Sequence, residues 1–160
     1  MEITFRNISD DDYPYVINNL NSWWDGRAMV NMLPRLFFRY FKDTGFVAIA
    51  DRRILGFIIG FFSQDDHRDA YVHFIGVDPG YRNYKIGKRL YGFFVDRVKR
   101  AGVEKIYCVT SPFNKNSIAF HKRIGFEIVP GSNKTLDGID FYSDYDGNGE
   151  DRVLFVKHLV

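Results

Sequence analysis

Polar and apolar positions alternate over residues 2–8, with Ile3 and Phe5 inward and Ile8 a further inward candidate past the strict alternation, and this period of two predicts a first strand. Ser9 follows with three consecutive carboxylates, Asp10, Asp11 and Asp12, as a cap and first turn suited to the positive end of a helix. Over residues 34–43 the period changes: Leu36, Phe37, Tyr40 and Phe41 recur at helical spacing behind Pro34. Between these two helices the run from Asn21 to Arg27 reads as a loop. Residues 46–50 and 54–62 are strands joined by the tight turn Asp51-Arg52-Arg53, and residues 70–77 form another strand, closed by Asp78-Pro79-Gly80. The longest helix runs over residues 83–101, with Ile86, Leu90, Phe93, Phe94, Val98 and Ala101 inward and Lys88, Arg89, Asp96, Lys99 and Arg100 toward water. A strand over 105–110, a short helix over 115–123 and strands over 126–129 and 153–159 complete the chain.

Hairpins thus fill the first half and β-α-β crossovers the second. That order predicts an α/β fold, a mixed central sheet of about seven strands with helices on both faces. No linker or repeat interrupts it, and 160 residues are read as one domain, 1–160.

Composition narrows the function. Hydrophobic residues make up 46% and charged residues 26%, within the globular range and far from disorder. A net charge of +2 is too small a bias for a nucleic-acid partner. The longest apolar run, residues 54–62, is 9 residues, against the roughly 20 of a membrane span, so no membrane partner is expected. One cysteine, Cys108, and no apolar leader in the first twelve residues point to a reducing, cytoplasmic setting. The histidines His67, His73, His121 and His158 have no metal-ligand spacing. Asp144-Tyr145-Asp146-Gly147-Asn148-Gly149 opens like a calcium loop, but Phe155 stands at its twelfth position, so the segment reads as a turn before the last strand. No metal is expected.

The segment from Val77 to Leu90 carries the most chemistry. A strand ends, the chain turns through Pro79 and Gly80, and a long helix begins, leaving amides free to hold a phosphate or diphosphate. Arg82, Lys85, Lys88 and Arg89 add positive charge there, and Gly87 allows close main-chain approach. A P-loop does not fit, because Arg82 stands at its first glycine and Arg89 at the Ser or Thr that would hold magnesium.

Arg82-Asn83-Tyr84-Lys85-Ile86-Gly87 resembles instead the acetyl-CoA motif of the GNAT superfamily of N-acetyltransferases: Arg or Gln, two residues, Gly, one residue, then Gly or Ala. It departs at Lys85, where the family has Gly, and a lysine there predicts a strained or altered turn. Downstream, the stretch from Asn114 to Phe126 is similar to the family's Asn…Ala…Phe-Tyr…Gly-Phe segment.

The resemblance implies acetyl-CoA as cosubstrate and transfer of an acetyl group to a primary amine of a small molecule or peptide, by direct attack in a ternary complex. It assigns cofactor contacts to Arg82, Asn83, Tyr84, Lys85, Ile86, Gly87 and Lys88, and to Asn114, Ser117 and Phe120. Thioester polarisation falls to main-chain amides around Ile75, Gly76 and Val77. It offers His73 as the base, with a packed core histidine as the other reading, and His121 as the acid, standing where the family has Tyr. Tyr71, Tyr142 and Tyr145 are the reserves for that second role.

From Gly131 to Asp151 the chain carries a net −5, against +7 for the rest of a chain that sums to +2. This loop, with Tyr142 and Asp144, and the loop containing Trp23, Trp24 and Arg27 correspond to segments that rim the acceptor cleft in the family. The charge suggests a cationic acceptor; a solvated acidic hairpin is the alternative. Exposed aromatics leave a homodimer open. A CoA-binding regulatory module without turnover is the alternative from another functional class.

Overall fold

A computed structural model describes residues Met1–Val160. Two compact units are present, residues 1–62 with 72–101, and residues 63–71 with 102–160. The first holds strands β1 (Thr4–Asn7), β2 (Gly45–Ala50) and β3 (Arg53–Phe62), most of β4 (Asp69–Val77), and helices α1 (Tyr13–Trp23), α2 (Leu36–Tyr40) and α3 (Ile86–Arg100). The second holds the start of β4, then β5 (Lys105–Thr110), α4 (Lys115–Arg123), β6 (Glu127–Ile128), β7 (Asn133–Lys134), β8 (Asp140–Phe141) and β9 (Val153–His158). Seven strands form one mixed sheet in the order β1-β2-β3-β4-β5-β9-β6, the architecture expected from the sequence; β7 and β8 make a separate hairpin.

In the first unit, β1, β2 and β3 are antiparallel, and Asp51 and Arg52 make the two-residue turn between β2 and β3 with φ of 49° and 63°. Arg53, expected in that turn, opens β3 and pairs with Ala50. β3 is buried on both faces because helices cover both. Phe57 and Ile59 join Val16, Leu20, Trp23 and Phe38 in the core under α1 and α2. Gly56 faces α3 so closely that a Cβ would lie 3.0 Å from Ile86 Cγ2.

Ser9 caps a 3-10 turn, Asp10–Asp12, that leads into α1: its hydroxyl accepts from Asp11 N–H while Asp12 accepts from Ser9 N–H at 2.8 Å. Arg6 clamps the same Asp12 carboxylate with two 2.8 Å bonds. In α3, Phe93 departs from the expected inward stripe: it is 42% exposed and stacks on Phe5 at 5.0 Å. The helix buries Ile86, Leu90, Tyr91, Phe94 and Val98 instead.

In the second unit, β5 runs parallel to the start of β4 and antiparallel to β9, which also pairs with β6. No helix is long and apolar enough to cross a membrane.

Candidate functional site: the turn between β4 and α3

β4 ends where Asp78 N–H donates to the Leu55 carbonyl at 2.8 Å. The Asp78 carboxylate accepts from Gly80 N–H at 2.9 Å, and Pro79–Tyr84 wind into a 3-10 helix. The expected single helix over 83–101 is therefore two helices, and the break is Lys85. Its φ of 57° and ψ of 28° are left-handed, the conformation for which a glycine would serve. A side chain there costs roughly 1–2 kcal/mol. The first helical bond of α3 runs from Arg89 N–H to the Lys85 carbonyl at 3.1 Å. The amides of Ile86, Gly87 and Lys88 accordingly stand ahead of the helical ladder, at its positive end.

Arg82, Asn83, Tyr84, Lys85, Lys88 and Arg89 are all exposed around this break. Arg82 also reaches back to donate to the Trp23 carbonyl at 3.0 Å, and Arg89 lies 4.4 Å over the Phe5 ring. Residues 79–90 contain four cations and no carboxylate. Main-chain amides, cations and a forced turn in one corner are the donor set a diphosphate requires.

Along β4 burial alternates residue by residue. Val72, Phe74 and Gly76 are buried; Tyr71, His73, Ile75 and Val77 are half-buried. Gly76 has a packing reason. A Cβ there would sit 2.7 Å from Trp24 Cη2 and 2.9 Å from Phe57 Cε1, distances that no real side chain adopts. Trp24 meets Phe74 edge-on at 5.0 Å. Trp23, expected at the acceptor rim, is instead a core residue, 4% exposed and 6.2 Å from Phe57, because α1 extends through it. Arg27 is exposed, and its Nε donates to the Trp24 carbonyl at 3.4 Å.

His73 Nε2 lies 2.6 Å from the Met32 carbonyl, and its ring stacks on Phe37 at 4.2 Å. A carbonyl can only accept, so Nε2 carries the hydrogen and the neutral ring has its lone pair on Nδ1. Sequence reasoning missed both partners: Phe37 registered only as one of a helical set, and a main-chain carbonyl has no signature in side-chain identity.

The remaining candidates lie in the second unit. Asn114 caps α4, its side-chain oxygen accepting from Ser117 N–H at 3.2 Å. His121 is 4% exposed, with Nδ1 2.8 Å from the Ser117 carbonyl and 3.2 Å from the Ser117 hydroxyl. Its ring stacks on Phe155 at 5.1 Å and meets Phe120 and Phe126 edge-on. Burial lowers its pKa, and the bond to Ser117 offsets this only in part, so the neutral ring is favoured. Burial thus works against an imidazolium acid at this position.

Among the reserves, burial pushes the Tyr71 phenol well up, and Tyr142 donates its hydroxyl to the Pro130 carbonyl at 2.7 Å. The acidic loop answers much of its own charge. Arg152 pairs with Asp146 at 2.8 Å and Glu150 at 3.3 Å, and Lys134 with Asp140 at 3.5 Å. Asp144 is left-handed, and its carboxylate accepts from Gly149 N–H at 2.7 Å, which makes the former calcium-loop candidate a self-bonded turn.

A strand that ends at a break followed by a helix with a cationic first turn, on a mixed α/β sheet, is the arrangement of a class of proteins able to hold phosphate groups. The sequence model of the Acetyltransferase (GNAT) family matches residues 5–126. The chain belongs to that family.

Among curated proteins, the L-2,4-diaminobutyric acid acetyltransferase of Nocardia farcinica is 34% identical over 84 residues, 52% of this chain and 44% of that protein. An uncharacterised N-acetyltransferase of Methanocaldococcus jannaschii is 31% identical over 90 residues, 54% of this chain and 40% of that protein. The chain thus matches less than half the length of either relative.

Solved structures agree in fold. Ard1 from Thermoplasma volcanium superposes with a TM-score of 0.77 at 18% identity, covering 100% of this chain and 99% of that one. Diaminobutyrate acetyltransferase EctA from Paenibacillus lautus, in complex with L-2,4-diaminobutyric acid and coenzyme A, gives 0.72 at 22% identity, covering 98% and 95%.

Proposed function

We propose that this chain is an acetyl-CoA-dependent N-acetyltransferase that acetylates a primary amine of a small molecule or peptide. The observation that carries the reading is the break at Lys85, which leaves the amides of the buried Ile86 and Gly87 and the exposed Lys88 ahead of the helical ladder, beside the exposed cations Arg82, Lys85, Lys88 and Arg89. Those groups would hold the diphosphate of the cosubstrate. The main-chain amides of Ile75, Gly76 and Val77 would polarise the thioester carbonyl, and acetyl-CoA would supply the activated acyl group.

An alkylammonium with a pKa near 10.4 must lose its proton before it attacks. His73 is the base in this reading, through Nδ1, with the Met32 carbonyl fixing the ring. His121 is left out of the proton path and given a packing role. Asn114, Ser117 and Phe120 remain proposed cofactor contacts, and Tyr142 and Asp144 proposed acceptor contacts. The cytoplasmic setting is read from one buried cysteine, Cys108.

The acceptor panel starts with L-2,4-diaminobutyric acid, named for two relatives, and extends to cationic, neutral and acidic amines. Release of CoA thiol with any of them, together with an acetylated product by mass spectrometry, is the expected result. Tight CoA binding without release from any amine would favour the regulatory module.

A further inference from the structure

Trp24 is the first residue past α1, in a loop where an exposed and mobile ring would be the ordinary expectation. It is neither. Its N–H donates to the Asn21 carbonyl at 3.1 Å, and its own carbonyl accepts from Arg27 N–H at 3.0 Å. The carbonyl just before it, that of Trp23, is held by Arg82 at 3.0 Å. Its ring stands edge-on to Phe74 at 5.0 Å, 70° between planes. The outer atoms of that ring, Cη2 and Cζ3, rest on the main chain of β4 where the side chain is missing: a Cβ on Gly76 would come within 2.7 and 2.8 Å of them. Phe57 closes the same spot from another side, 2.9 Å from that Cβ position.

We infer that Trp24 limits the length of the acyl chain this protein accepts. The inference rests on the function proposed above, in which the thioester carbonyl meets the amides of Ile75, Gly76 and Val77. An acyl group held there begins its carbon chain beside Gly76, where the ring of Trp24 already fills the space left by the absent side chain. A two-carbon group ends at the carbonyl's own methyl. Each further methylene must pass a ring pinned through its main chain on both sides and packed against Phe74, so it meets a wall and not a flexible rim. A rigid apolar wall discriminates by roughly 10–200-fold per methylene.

The test titrates CoA, acetyl-CoA, propionyl-CoA and butyryl-CoA into the wild type, Trp24→Ala and Trp24→Phe by calorimetry, with acyl transfer measured in parallel. The wild type should bind acetyl-CoA at least tenfold more tightly than butyryl-CoA. Trp24→Ala should reduce that ratio at least tenfold, and the ratio of kcat/KM for the two donors should move the same way. Trp24→Phe keeps a ring against Phe74 and serves if the alanine variant does not fold; it should admit propionyl-CoA more than butyryl-CoA. Equal ratios in wild type and folded variants would overturn the inference. So would a variant that loses acetyl transfer without gaining any longer chain, since Trp24 would then wall the acceptor. Failure of the wild type to bind CoA itself is a different outcome, and it strikes the proposed function and the acyl-length role together.

Discussion

His73 and His121 each hold one ring nitrogen against a main-chain carbonyl, yet the regions around them are built differently. Along β4 and the turn after it, His73 is half-buried, the cations from Arg82 to Arg89 are exposed, and Lys85 is left-handed at φ 57°. Along α4 the polar groups are used up locally. Asn114 caps the helix, Ser117 bonds back to that cap, and His121 is packed among Phe120, Phe126 and Phe155. The family resemblance covers both stretches in sequence. In the first the matching positions include a left-handed main-chain break among exposed cations. In the second they satisfy one another.

The largest effect that can break this contrast is at His73. His73→Gln and His73→Ala should each lower kcat/KM by about 100-fold or more, the scale of a positioned general base, and should flatten the acid limb of the pH–rate profile. Circular dichroism and CoA affinity monitor the fold in the same samples. A folded variant within about threefold of wild type, with the acid limb intact, would make His73 a packing residue like His121 and erase the distinction between the two regions.

The sheet and its order were legible because alternation and helical spacing reflect burial directly. Residues 70–77 were read as a strand, and β4 over Asp69–Val77 alternates in its burial residue by residue. The turn after β4 was legible for a similar reason: Pro79 and Gly80 act through main-chain geometry, and the departure at Lys85 marked the very residue at which the helix breaks. Burial of single polar rings was not legible. His121 falls on a short helix with modest amphipathy, and only the tertiary positions of Phe126 and Phe155 decide that its ring is enclosed. Trp23 and Trp24 differ by one position, but the length of α1 sends the first to the core and the second onto Gly76. An acidic hairpin was one reading of residues 131–151, but the strands β7 and β8 could not be placed in it, because at two residues each they are too short for any period.

At His121 the contrast can be sharpened through stability. Burial lowers its pKa below the ordinary 6.5. The unfolded chain then binds a proton that the folded chain resists, so stability is full above about pH 6.5 and falls as pH drops through the depressed folded value. His121→Phe keeps an aromatic ring against Phe155 and removes the proton. Its melting temperature should lose that component of the acid-side decline, at a cost near neutrality of about 1 kcal/mol for the bond to Ser117. An unchanged acid slope would contradict the buried, neutral ring. A tenfold fall in kcat at constant KM would return the acid role to His121.

The smallest effect lies back at the turn. Lys85→Gly removes the left-handed penalty of roughly 1–2 kcal/mol, while the extra freedom of an unfolded glycine takes back about 0.4–1 kcal/mol. The net expectation in urea unfolding is a gain of between zero and about 1.6 kcal/mol. Lys85→Ala keeps the strain and should show no such gain, which separates main-chain relief from loss of the lysine side chain. Charge acts in the opposite direction on binding: without the Lys85 ammonium, CoA affinity should weaken by a few-fold at low salt, and the deficit should shrink as salt rises. A glycine variant no more stable than the alanine one would mean that the turn holds no strain, and Lys85 would then occupy the family's glycine position without a conformational cost.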